Sequence, residues 1–268
     1  MPAALEWIAL PAFTDNYIWM LHDGVQALVV DPGEAAPVLD ALQARGLRLA
    51  AILVTHHHGD HIGGVAGLRG VLEGQVFAPP HALNPQPCVP VQDGQSLELL
   101  GQHFDVLGTP GHTADHVSYL LQQAGQPPLL FCGDTLFSAG CGRVFDGSLA
   151  QLHASLQRLA ALPDQTRICC AHEYTLSNLR FARTIEPANE ALARYEAWCE
   201  ARRAAQDPTL PALLATELLI NPFLRCREPA VKSAVSARRA SEPCAVTGDA
   251  DEPLAVFSAL RLWKNEFR

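Results

Sequence analysis

The segment LAAILVTHHHGDHIGG, residues 49–64, restricts this chain more than any other. It opens as a continuous apolar run, which reads as a strand covered on both faces. It then delivers four histidines and an aspartate within six positions, His56 to His61. Side chains of an extended segment alternate, so His56 and His58 project to one side and Asp60 continues that spacing. Gly59 permits a sharp turn before Asp60, and His61 enters from the far side of it. Two imidazoles aimed at one point, with a carboxylate and an imidazole aimed at a neighbouring point, suit two adjacent borderline metal ions. A plain polar strand–helix loop has no use for so many imidazoles.

The rest of the first part alternates strands and helices. LEWIALPAF, NYIWMLHDG and QALVVDPG are short apolar and aromatic runs that end at turn residues. EAAPVLDALQARG predicts a helix closed by Gly46, and further strands are expected near 75–78, 96–100, 103–107, 117–122 and 129–132. SLAQLHASLQRLAALP reads as a serine-capped helix, and RICCAHEY as a buried strand ending on His172. From about Thr175 the pattern turns helical and charged through to the final DEPLAVFSALRLWKNEFR. The expected division is a catalytic domain over 1–174 and a helical domain over 175–268.

Three of those later strands also deliver a candidate ligand at or just past their ends: His112 in GTPGHTADH, Asp134 in LLFCGDTLF and His172 in ICCAHEY. Each alone is an ordinary loop residue. Four strands ending this way point to one rim of a sheet, where such folds gather active-site groups.

Composition removes several alternatives. With 49% hydrophobic and 18% charged residues the 268-residue chain is globular. A formal charge of −9 leaves no footprint for nucleic acid or an anionic membrane, so an anionic substrate needs a local basic cluster. The eight cysteines form no CxxC pair or framework spacing, and Cys169 and Cys170 read as small core residues. The N-terminal stretch lacks a basic leader and no run reaches the ~18–20 apolar residues of a span. A monomer in the reducing cytoplasm is expected.

T-H-x-H-x-D-H followed by later His, Asp and His resembles the metallo-β-lactamase superfamily. FTDNYIW, GHTADHVSY, CGDTLFSAGCGR, CAHEYTLSNLRFA, NPFLR and LRLWKNEF are similar to blocks of its glyoxalase II branch, the hydroxyacylglutathione hydrolases, over essentially the whole length. The resemblance implies an αβ/βα sandwich of α/β class with a C-terminal helical domain. It implies His56, His58 and His112 on one divalent metal, Asp60, His61 and His172 on a second, and Asp134 bridging, with Asp60 and Asp134 as the carboxylates at the chemistry. Zinc is expected first, with iron or manganese as alternatives. The substrate implied is an S-(2-hydroxyacyl)glutathione such as S-D-lactoylglutathione, held by Arg143, Phe145, Tyr174, Arg261 and Lys264. Some relatives have lysine and tyrosine where this chain has Arg143 and Phe145, so a hydroxyl is lost there.

Six histidines remain: His22, His57, His81, His103, His116 and His153. An ordinary structural role is expected for all six, with His57 turned away from its neighbours, into solvent or behind the ligands, and His116 the best placed of them to support a ligand. Asp31 is either a turn residue or the carboxylate that orients a ligand histidine. The absence of G-x-S-x-G argues against a serine nucleophile. The rival readings are a lactonase, β-lactamase or other thioesterase of the same fold, a glutathione persulfide dioxygenase, and a non-catalytic metal-binding module.

Overall fold

The computed structural model describes residues 5–241 and 252–267. Two compact units interleave along the chain. The first takes residues up to Thr109, Asp115–Gly133 and Cys169–His172, and the second takes Pro110–Ala114, Asp134–Ile168 and the chain from Glu173 on.

In chain order the elements are β1 (Glu6–Ala12), β2 (Asn16–His22), β3 (Gln26–Val30), α1 (Ala36–Arg45), β4 (Arg48–Leu53), α2 (Gly59–Ile62), α3 (Val65–Leu68), β5 (Leu72–Ala78) and β6 (Val89–Pro90). Next come β7 (Ser96–Leu99), β8 (Gln102–Gly108), β9 (Val117–Leu121), β10 (Leu129–Gly133), β11 (Leu136–Phe137), β12 (Gly140–Cys141), α4 (Leu149–Ala160) and β13 (Arg167–Cys170). The chain continues with α5 (Thr175–Ile185), α6 (Glu190–Ala204), β14 (Ala212–Leu213), α7 (Leu214–Ile220), α8 (Pro229–Ser241) and α9 (Pro253–Glu266).

The first unit holds a sheet of order β1-β2-β3-β4-β5-β6, antiparallel from β1 to β3 and parallel from β3 to β6. Its second sheet pairs β7, β8, β9 and β10 antiparallel, with Cys169–Cys170 of β13 beside β10. Alternation along β2 sends Ile18 and Met20 to the face covered by Val38 and Leu42 of α1 and Leu68 of α3. Trp19 turns to the other face, where its ring lies 6.4 Å from Phe131 and its Nε1 donates to Cys170 O at 2.9 Å. The Tyr119 hydroxyl donates to Val54 O at 2.8 Å, so the two sheets face each other over a closed core. Burial on both faces explains why β2 to β4 read as unbroken apolar runs, and each such side chain contributes roughly 1.5–3 kcal/mol.

In the second unit, β11 and β12 form a hairpin and Arg167–Ile168 pair with β14. Helix α4 begins at Ser148, which accepts from Gln151 N at 3.2 Å, and its His153 packs 5.2 Å from Phe257 of α9. Leu179, Ala182, Leu192, Cys199 and Ile220 form the core under α5, α6 and α7. Gly46 ends α1 in the left-handed conformation, φ 65, as its sequence position predicts. The two-residue strands β6, β11, β12 and β14 have no counterpart in the sequence reading, because two residues carry no period. None of the seven described cysteines is in a disulfide, and Cys169 and Cys170 are buried, in line with their reading as core residues. Among the described residues no helix is long and apolar enough to cross a membrane.

Candidate metal centre

β4 delivers the histidine run to the edge of the first sheet. Asp31, at the end of β3, accepts from Thr55 N and from Thr55 Oγ1, both at 2.7 Å, which locks the turn where β4 stops. Asp31 Oδ2 also lies 3.0 Å from His61 Nδ1, so it orients that ring and is more than a turn residue. Thr55 Oγ1 stands 3.1 Å from His56 Nδ1. His172 Nδ1 donates to Asp15 Oδ1 at 2.9 Å, and Asn16 Nδ2 donates to Asp60 Oδ2 at 3.0 Å. Holding Nδ1–H in this way leaves the Nε2 lone pairs of His56, His61 and His172 as acceptors, able to ligate a cation.

Those lone pairs converge. Asp60 Oδ2 lies 3.5 Å from His61 Nε2 and 3.4 Å from His172 Nε2. His56 Nε2 and His58 Nδ1 are 3.1 Å apart. Ligands about 2.0–2.1 Å from a tetrahedral ion stand about 3.3–3.4 Å from one another. The donor set therefore fits a transition metal, and His56, His61 and His172 are buried. His116 stacks on His56 at 4.9 Å and 25°, and its Nδ1 lies 2.9 Å from Thr109 Oγ1. Gly133 ends β10 at φ +47, where a Cβ would overlap Thr55 Oγ1, so only glycine allows this approach.

The second unit brings its two candidate ligands together. His112 Nε2 lies 3.5 Å from Asp134 Oδ2, the same donor spacing, and both residues are buried. His112 Nδ1 donates to Arg143 O at 2.8 Å, which again leaves Nε2 as the acceptor. Phe145 meets the His112 ring edge-on at 5.1 Å and is 65% exposed, an apolar surface held beside a candidate ligand.

The other predicted contact residues divide by burial. Arg143 and Tyr174 are exposed, with Tyr174 propped on Phe137 at 5.3 Å. Lys264 is half-buried, donates to Ser177 O at 3.1 Å and lies near the rings of Phe181 and Phe267. Burial, followed by the charges of Arg261, Arg180 and Arg143, brings its pKa down to about 8. Arg261 is only 3% exposed, with its guanidinium on backbone carbonyls.

His57 turns away from His56 and His58, but not into solvent. It stacks on His81 at 3.6 Å and 11°, with its Nδ1 3.4 Å from Asp115 Oδ1. Parallel rings hold their lone pairs side by side, and His81 Nδ1 already accepts from Leu83 N, so this trio braces the histidine loop by packing.

Residues 13–172 match the family described as Metallo-beta-lactamase superfamily, and residues 173–267 match Hydroxyacylglutathione hydrolase C-terminus. A hydroxyacylglutathione hydrolase of Albidiferax ferrireducens is 56% identical over 98% of this chain and 100% of its own length. One of Vibrio parahaemolyticus is 49% identical over the same shares. The chain belongs to the hydroxyacylglutathione hydrolase family. Solved structures place this family member in the metallo-β-lactamase fold. ETHE1 from Myxococcus xanthus aligns with TM-score 0.54 at 31% identity over 64% of this chain and 76% of its own. The BLEG-1 B3 metallo-beta-lactamase aligns with TM-score 0.60 at 24% identity over 82% and 99%.

For a hydroxyacylglutathione hydrolase, sequence reasoning missed Asp15, Asn16 and Arg180. Asp15 and Asn16 lie inside FTDNYIW, a segment that carries the family likeness, but nothing local ties them to His172 or Asp60. Arg180 lies within LSNLRFA on α5, where its charge reaches Lys264.

Proposed function

We infer that this enzyme hydrolyses S-(2-hydroxyacyl)glutathione thioesters, S-D-lactoylglutathione among them, to glutathione and a 2-hydroxy acid, a step in methylglyoxal detoxification. The observation that carries this reading is the full-length match to relatives of that name, together with the donor spacing in each unit. On the family likeness, His56, His58 and His112 would hold one divalent cation and Asp60, His61 and His172 the other, with the Asp134 carboxylate available to both. Zinc is the first candidate and iron or manganese the alternatives, since imidazole and carboxylate suit all three. Residues 1–174 would carry the chemistry and 175–268 the helical substrate-binding part.

A bound pair of divalent cations supplies Lewis acidity, which lowers the pKa of water toward neutrality and polarises a carbonyl. The chain's own residues hold that centre in register. Asp15, Asp31, Thr55 and the Arg143 carbonyl fix the histidine tautomers, and Asp60 and Asp134 offset the positive charge. The thiolate leaves without a dedicated proton donor, because a thiol pKa near ~8.5 makes it a good leaving group. Glutathione carries carboxylates, for which the exposed Arg143 and the half-buried Lys264 are the proposed partners, with the exposed Arg180 and the buried Arg261 adding charge beside Lys264. Phe145 and Tyr174 offer ring faces to the thiol side. A reducing, cytoplasmic setting is in keeping with seven described cysteines that form no disulfide.

Elemental analysis combined with kinetics on S-D-lactoylglutathione and on a thioester of a small thiol tests this. About two metals per chain and a strong preference for the glutathione thioester are expected. Oxygen uptake with glutathione persulfide, carried by a single iron, would replace the reading with a dioxygenase. Equal rates on both thioesters would make the enzyme a general thioesterase.

A further inference from the structure

The turn between β1 and β2 carries an aromatic ring where its backbone favours glycine. Ala12 pairs with Asn16, so Phe13, Thr14 and Asp15 form the whole connection. Phe13 takes φ +49, in the left-handed region, where a bulky side chain is strained. Its N–H donates to Glu34 Oε2 at 2.6 Å, which helps to hold that conformation. Burial returns little for the strain, because Phe13 is 56% exposed. The fold alone gives no reason for an aromatic ring here, since glycine would make the same turn more easily.

The place of the ring supplies a reason. A Cβ on Gly33 would overlap the Asp60 carbonyl oxygen and lie 2.7 Å from Phe13 Cε2, so ring and carbonyl meet over Gly33. Two and three residues further on, Asp15 holds His172 Nδ1 and Asn16 holds Asp60 Oδ2. The turn that supports two candidate ligands therefore also sets an apolar ring beside them. We propose that Phe13 is a specificity-determining residue whose ring forms an apolar wall for the alkyl or aryl tail of the 2-hydroxyacyl group. This rests on the thioesterase reading and extends it to the acyl side, whereas Arg143, Phe145, Tyr174, Arg261 and Lys264 concern the glutathione side. A lactoyl group brings one methyl to such a wall, a mandeloyl group brings a phenyl ring, and a glycoloyl group brings neither.

The test compares wild type with Phe13→Gly and Phe13→Leu on the glycoloyl, lactoyl and mandeloyl thioesters of glutathione. Thermal unfolding and zinc content are measured alongside. A methyl fully buried on the wall is worth about fourfold, and a phenyl ring about tenfold or more. In Phe13→Gly, kcat/KM relative to the glycoloyl thioester should fall by about those factors for lactoyl and mandeloyl. Phe13→Leu keeps an apolar branch and should recover part of both losses. Glycine relieves the backbone strain but frees the unfolded chain, so Phe13→Gly should unfold no more than about 2 °C below wild type and keep its zinc. An equal loss on all three thioesters, or no loss on any, overturns the proposal. An equal loss with lower zinc content also overturns it, and makes Phe13 a support for the Asp60 segment. Unchanged acyl ratios against an active wild type remove the proposal alone. A wild type active on small-thiol thioesters but on no glutathione thioester would remove the reading beneath it as well.

Discussion

Replacing Glu217 by glutamine probes a carboxyl group that the fold buries completely. Its Oε1 accepts from Ser138 Oγ at 2.8 Å, and its Oε2 accepts from Ala139 N at 2.7 Å and Asn221 Nδ2 at 3.0 Å. Burial outweighs these bonds and lifts the pKa from 4.5 to about 7. The folded chain thus keeps a proton where the unfolded chain has lost it. Stability from this group is full below about pH 4.5 and is lost as the pH rises through about 7. At about 1.36 kcal/mol per pH unit, most of that gap falls between about pH 5 and about pH 8, or about 2–3 kcal/mol. Glutamine can keep the bonds. Its oxygen takes the Oε2 place, and its Nε2 donates to Ser138 Oγ, whose hydrogen turns to Tyr195 Oη 3.0 Å away. Urea unfolding of both proteins at both pH values should show wild type losing about 2–3 kcal/mol relative to the variant on going to the higher pH. Acid release of metal affects both proteins and cancels in the difference. A wild-type-minus-variant difference that stays constant within about 0.5 kcal/mol would refute the burial argument.

Asp134→Asn keeps the shape but removes the charge, so metal occupancy and kcat should fall together, by at least the ~10–100-fold typical of outer partners. Unchanged occupancy by elemental analysis would show that another group bridges. Asp15→Ala frees His172 Nδ1 and should weaken zinc binding about tenfold in chelator competition, with the fold intact by circular dichroism. Lys264 must be protonated to hold a carboxylate, so KM for glutathione thioesters should climb as the pH rises through about 8. Lys264→Ala should raise KM about tenfold at neutral pH and lose that pH dependence, with kcat little changed.

The metal chemistry is legible because its signal is local. His56 to His61 sit within one strand exit, and period-two alternation separates His56 and His58 from His57 without any tertiary knowledge. The apolar runs of β2 to β4, the Ser148 cap and the Gly46 terminus are local in the same sense, since each depends on backbone geometry within a few residues. The tertiary structure decided what surrounds the candidate ligands. Asp15 reaches His172 across 157 positions, and Arg261 reaches Cys141 across 120. Such pairs have no period and no fixed spacing, because chain closure between distant segments is set by packing of the whole core rather than by propensity. Arg261 and Lys264 show the limit plainly. Three apart on one helix, they read as equivalent cations, and only burial separates the one held on a turn from the one left partly exposed.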